Sequence, residues 1–200
     1  MFTILLDSSN TNLSVGLAQD NVLLDYVSYE AWQRQSEYMI PELDKLLNKY
    51  HVNRSDIQDV IVAIGPGSYT GVRIAITIAK TIATALGVLL YPVSSLRVLK
   101  AGKKPTICLI NARSNRSYIG VYQDQQIILS DQIMNNTDVI NYINSHPDFV
   151  ICGDTKYLNL ESVNSNNLEE MLSLKGSLEP INPLSLKPVY MKEEYAKPLY

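Results

Sequence analysis

Sliding the chain along itself by 104 positions places Leu5, Gly16, Gln19 and Asp20 on Leu109, Gly120, Gln123 and Asp124. The pattern around these identities is shared as well. ILLDSSNTNLSVGLAQDNVLLD and CLINARSNRSYIGVYQDQQIIL each read as an apolar strand, a polar turn, an alternating strand, a Gln-Asp turn and a third strand. A chain of 200 residues patterned this way is expected to be one α/β unit used twice. After the first three strands, residues 36–50 repeat apolar side chains at helical spacing, 60–64 form a continuous apolar strand, and 70–86 form a second helix. After the second three, 137–144 and 149–152 repeat the helix and strand in shortened form. Gly102, Lys103, Lys104 and Pro105 break the pattern, so the sequence predicts an N-terminal lobe over 1–100 and a smaller, degenerate lobe over 101–200. Residues 155–176 show no assignable period, and Pro180, Pro183 and Pro188 argue for an extended tail.

Composition narrows the class. A hydrophobic share of 46% and a charged share of 18% describe a foldable globular chain and exclude disorder. A net charge of -3 argues against a direct grip on nucleic acid, which needs a basic excess to neutralise phosphates. Cys108 and Cys152 lie inside the apolar runs TICLI and FVICG and read as buried thiols of a reducing compartment. The start, MFTILLDSS, has no basic n-region, and the apolar stretch 74–90 is interrupted by Lys80, three threonines and a glycine. A cytoplasmic protein without a membrane association is expected.

The most informative local motif is Gly65-Pro66-Gly67-Ser68-Tyr69-Thr70-Gly71-Val72-Arg73, which joins a buried strand to a helix. Free N–H groups and the helix dipole at such a junction can hold an anion. The motif departs from the known phosphate codes, because Val72 and Arg73 stand where a P-loop has Lys and Ser or Thr. Two readings stay open: a vestigial phosphate loop of Asp7, Gly65, Gly67, Ser68, Thr70 and Gly71, or a tight turn with Thr70 as N-cap. Asp7, followed by two serines, could position a metal or phosphate, but one carboxylate next to hydroxyls is more often a capped turn. His51 and His146 have no partner at metal-ligand spacing and read as solvated loop histidines. No catalytic residue and no metal ligand set is expected.

The helix after the loop has an apolar arc of about 200° on a helical wheel, wider than one sheet face needs. Ile74, Ile78 and Ile82 suit the chain's own sheet, and Ala75, Ala79 and Ala83 form a small-residue stripe that admits another helix closely. A partner interface of Val72, Ala75, Ile76, Ala79 and Ala83 is therefore expected beside the stripe.

Taken together, DSS at 7–9, QSEYMIPELDKLL at 35–47, GPGSYTGVRIA at 65–75, PVSSL at 92–96, NARSNRSYIGVY at 111–122 and PVYMK at 188–192 resemble the TsaB (YeaZ) family. The resemblance implies two ribonuclease-H-like lobes of the actin, Hsp70 and sugar-kinase type. It implies a non-catalytic subunit in tRNA threonylcarbamoyladenosine synthesis that forms homodimers and binds TsaD directly. The same resemblance implies that TsaE joins in a ternary complex, that any ATP or ADP sits on the partner subunits, and that tRNA is met only indirectly. Gln35 stands where the family usually has His, Ala75 where Gly is common, and Asn111 where Asp usually precedes Ala-Arg. The first and third remove ionisable groups, and the second adds a methyl to the interface helix. A second class of function also stays open: an ATP-binding kinase-like or glycoprotease-like enzyme of the same superfamily. Lys100, Lys103, Lys104, Arg113 and Arg116 could touch tRNA or simply be solvated.

Overall fold

The computed structural model describes residues 1–31 and 33–191. Strands β1 (Phe2–Asp7), β2 (Asn12–Gln19) and β3 (Val22–Glu30) form an antiparallel meander, followed by α1 (Gln35–Lys49), β4 (Ile57–Ala63), α2 (Tyr69–Leu86) and β5 (Leu89–Val93). A second meander of β6 (Thr106–Arg113), β7 (Arg116–Gln123) and β8 (Gln126–Asn135) leads to α3 (Asn136–Asn144), β9 (Val150–Gly153) and α4 (Asn167–Leu174). The strands starting at 2, 12 and 22 recur at 106, 116 and 126, each 104 residues later, so the internal repeat is a structural one. The first sheet has the order β3-β2-β1-β4-β5, with β1, β4 and β5 parallel. The second keeps β8-β7-β6-β9 and lacks the fifth strand. Both orders are those of a ribonuclease-H-like lobe, and the pair makes the actin and Hsp70 type of fold.

Local chemistry accounts for the elements. Asp20 and Asn21 both have positive φ (52° and 64°), which a two-residue primed hairpin turn requires and which Asp and Asn tolerate. Helix α2 ends on Gly87 at φ 67°, where a left-handed residue lets Val88 N–H donate to the Ala83 carbonyl. Strand β5 accepts Pro92 because it lies at the sheet edge, where a missing donor breaks no central ladder.

The sheets are covered unequally. Helices α1 and α2 share one face of the first sheet and bury Met39, Leu43, Val72, Ala75 and Ile76 against Ile4, Leu6, Val15, Val60 and Val62. Helix α4 takes the opposite face, placing Leu168, Met171, Leu172 and Leu174 with Leu5, Ile61 and Val93. Helix α3 covers one face of the second sheet through Val139, and a 3-10 turn at Arg97–Leu99 abuts the other.

The packing of α4 revises the expected lobes. The break near 100–105 does separate the two sheets, but the predicted lobe of 101–200 does not keep to its own sheet. Its residues 167–189 return to the first sheet: Lys175 pairs with buried Asp59 at 2.7 Å, Ile181 N–H donates to the Leu90 carbonyl, and Leu186 enters the first core. The segment with no assignable period thus contains a helix. Asn166 caps it by accepting from Leu168 N and Glu169 N, and Leu168, Met171 and Leu172 supply its apolar side.

Candidate functional site

The glycine-rich loop leaves the C-terminal end of β4 and lies against the β1–β2 turn. Its glycines answer to that approach. A Cβ on Gly67 would lie 2.1 Å from the Ser9 carbonyl oxygen, and one on Gly71 would lie 1.9 Å from that of Ser8. Gly65 adopts φ 103°, and its Cβ would meet the Val189 carbonyl at 2.8 Å.

Three of the loop's own donors are occupied within the chain. Ser68 N–H donates to the Ser9 carbonyl at 2.6 Å, Gly71 N–H to Ser68 Oγ at 3.2 Å, and Gly65 N–H to Ser95 Oγ at 2.9 Å. Ser8 Oγ in turn donates to the Gly71 carbonyl at 2.7 Å. Backbone that cradles a phosphate points its N–H groups into open space; here three of them point into the protein. The N-cap of α2 is Ser68, which corrects the expectation of Thr70. Thr70 lies exposed on the first turn of the helix.

Asp7 is buried in the same region. Its Oδ1 accepts from Ser9 N–H at 2.8 Å and its Oδ2 from Asn167 Nδ2 at 2.7 Å. The carboxylate is thereby held as a turn and as the docking point of α4, and the capped-turn reading is the one with visible partners. Asn111, 104 positions on, accepts from Arg113 N–H at 2.8 Å. The same turn is therefore built in both halves, once by a carboxylate and once by an amide, so the loss of charge at Asn111 leaves the turn intact.

Helix α2 presents a different face from the expected one. Val72, Ala75, Ile76, Ala79 and Ala83 are all buried in the first core, Ala75 and Ala79 with no exposure at all. The alanine stripe faces the chain's own sheet, where short side chains let the helix sit close. Ile74 and Ile78 instead lie half-buried along the flank toward α1. There they line an apolar groove of about 460 Å³ with Ser36 and Ile40 from α1 and Tyr69, Thr70, Arg73 and Thr77 from α2. Ile40 is 57% and Tyr69 55% exposed. Gln35, at the start of α1, is buried and donates to the Asn10 carbonyl at 3.2 Å, an anchoring contact that needs no ionisable group.

The remaining sequence candidates disperse. Lys100 is 8% exposed and pairs with Glu170 at 3.4 Å, so it drops out of the basic surface cluster. Burial pushes the Glu170 carboxyl above its ordinary range, an effect that Lys100 partly opposes. His146 stacks on Tyr142 at 4.2 Å and bonds the Tyr142 carbonyl through Nδ1, so it packs against the end of α3 and is not the solvated loop side chain expected. Among the described residues, no group of three His, Cys, Asp or Glu is placed to hold a metal ion, and no helix is long and apolar enough to cross a membrane. Of PVYMK, Lys192 lies outside the described residues.

Cys108 and Cys152 are free, fully buried, and opposite each other on β6 and β9. Burial raises the Cys108 thiol far above its usual range and pushes Cys152 up to about 11. Neither forms appreciable thiolate at neutral pH. A thiol reagent such as DTNB is therefore expected to titrate no cysteine in the native chain and two after denaturation; rapid native labelling of either would contradict the burial.

Comparison with known proteins agrees with this architecture. A family model described as TsaD, tRNA N6-adenosine threonylcarbamoyltransferase, matches residues 28–153. The tRNA threonylcarbamoyladenosine biosynthesis protein TsaB of Bacillus subtilis is 35% identical over 147 residues, covering 66% of this chain and 64% of that protein, so the match spans less than two thirds of that relative's length. The uncharacterized protein MG208 of Mycoplasma genitalium is 27% identical over 200 residues, covering 96% and 95%. Among solved structures, YeaZ from Pseudomonas aeruginosa superposes with a TM-score of 0.78 at 23% identity, covering 94% of this chain and 99% of that one, a likeness of fold. The repeat, the two sheets, the glycine loop and these relatives together establish that the chain belongs to the TsaB (YeaZ) family.

Proposed function

We propose that this chain is a non-catalytic subunit in the formation of threonylcarbamoyladenosine at position 37 of tRNAs that read codons starting with adenine. Its task is to hold TsaD against the α1–α2 face. The observation that carries the reading is the groove itself: Ile40, Ile74 and Ile78 leave apolar surface open beside Tyr69 and Arg73, a composition suited to the centre of a protein interface. The neighbouring loop supports it from the other side, because the donors of Gly65, Ser68 and Gly71 are satisfied internally. A kinase-like enzyme would need such groups free for a phosphate. In the absence of TsaD a second copy of the chain uses the same face, and TsaE completes the assembly. With Lys100 buried and a net charge of -3, tRNA contacts belong to the other subunits.

The B. subtilis relative is named for this biosynthesis, and the matching family model for the transferase. Depletion of the chain in its host should lower the modified adenosine, measured by mass spectrometry of total tRNA; unchanged modification refutes the assignment. Ile40→Glu places a charge in the groove at an exposed position, where a substitution changes stability by no more than about 0.5 kcal/mol. Co-purification with TsaD is expected to be lost while the melting temperature holds. Retained binding would move the interface elsewhere.

A further inference from the structure

The partner face is completed from the far end of the chain. Residues 181–191 run along α2 as a strap: Ile181 N–H donates to the Leu90 carbonyl at the β5 edge, Lys80 Nζ donates to the Leu186 carbonyl at 3.2 Å, and Val189 N–H donates to the Ile64 carbonyl at 2.8 Å. Leu186 is buried in the first core, and Met191 packs against the second-sheet core that includes Leu96 and Cys108. Between these anchors Tyr190 reaches the mouth of the groove. Its ring stacks on Tyr69 with centroids 5.0 Å apart, and its hydroxyl accepts from Arg73 Nε at 2.5 Å. The Arg73 guanidinium also lies over the Tyr69 ring at 4.1 Å.

Tyr69 and Arg73 both line the groove and are exposed, and the long Arg73 side chain has many rotamers to lose on ordering. We infer that the strap pre-organises the docking face: Tyr190 holds Tyr69 and Arg73 in one arrangement before a partner arrives. The inference rests on the reading of the α1–α2 groove as the site that receives TsaD. Its physical content is entropic. Side chains already ordered lose less freedom on binding than mobile ones, and Tyr and Arg are the residue types that dominate interface energetics. The anchors at Leu186 and Val189 bind the strap independently of Tyr190, so truncating that one ring should leave the strap seated.

The test compares Ile40→Glu, Tyr190→Ala and Tyr190→Phe in the full chain, measuring affinity for purified TsaD by calorimetry and melting temperature by circular dichroism. Tyr190→Ala is expected to weaken binding about tenfold, and Tyr190→Phe, which keeps the stack and loses only the bond to Arg73, by about threefold, with melting temperatures unchanged. Loss of binding in Ile40→Glu with Tyr190→Ala within about twofold of the parent overturns the strap and leaves the groove standing. Tighter binding by Tyr190→Ala also overturns it, because the strap would then obstruct the face. A parallel fall in affinity and melting temperature in both Tyr190 variants overturns it as well, by making the residue merely structural. Full binding by Ile40→Glu removes the groove and the inference together.

Discussion

Ala79→Trp is expected to unfold the chain rather than detach a partner. Ala79 is fully buried between α2 and the first sheet, with Ala75 and Ala83 one turn to either side. It shares one close-packed core with Val60, Val62, Val72 and Ile76, so an indole has no space to enter. Inserting even a few methylenes into such a core costs about 1–3 kcal/mol, and a whole indole exceeds that range. A domain holds only about 5–15 kcal/mol in total. Loss of near-ultraviolet circular dichroism, or failure to recover soluble protein, is the outcome to look for. A folded Ala79→Trp chain that merely fails to bind TsaD would mean that the stripe faces outward after all.

Gly71→Ala ranks next. A new Cβ would sit 1.9 Å from a backbone oxygen, and backbone yields less readily than the end of a side chain. To make room, the β1–β2 turn must withdraw from α2, which breaks the bonds from Ser68 N–H to Ser9 and from Ser8 Oγ to Gly71. Each buried bond contributes about 1 kcal/mol, more where a partner is left orphaned, so a loss of about 3 kcal/mol is expected. For a chain of this size that lowers the melting temperature by about 6–12 °C. Gly176→Ala is the control, since nothing lies within 4 Å of its added Cβ. Equal melting of the two variants would dismiss the steric account of the loop.

These two expectations show where reading the residues succeeds and where it stops. The meanders, α1, β4, α2, α3 and β9 are legible because each depends on local periodicity and turn chemistry: alternation in β2 and β7, Asp and Asn at the tight turns, and a Gly-Pro-Gly break before α2. The glycine motif is legible as a junction, but its purpose is not, because the atoms that require Gly67 and Gly71 belong to Ser8 and Ser9, about sixty residues earlier. Helix α4 is short, and its caps and apolar spacing, Asn166 with Leu168, Met171 and Leu172, sit inside an Asn- and Ser-rich stretch that hides them. The same capping pattern is the signal by which it could be found. The groove escapes notice because its residues, Ser36, Ile40, Tyr69, Arg73, Ile74 and Ile78, come from two helices and form no motif.

By itself, then, the sequence determines a duplicated strand unit, the positions of most elements and the family, all of which follow from short local patterns and their recurrence along the chain. Only the tertiary structure decides which side of α2 meets the sheet. A wheel shows that residues share a face but not what the face touches, and the alanines win the sheet because short side chains permit close approach while Ile74 and Ile78 are left lining the groove toward α1. It also decides that Lys100 is a buried partner of Glu170, that α4 crosses back to the first sheet, and that Tyr190 reaches Arg73 across 117 residues. In each case the deciding contact is with a residue far away in the chain, where local periodicity carries no information.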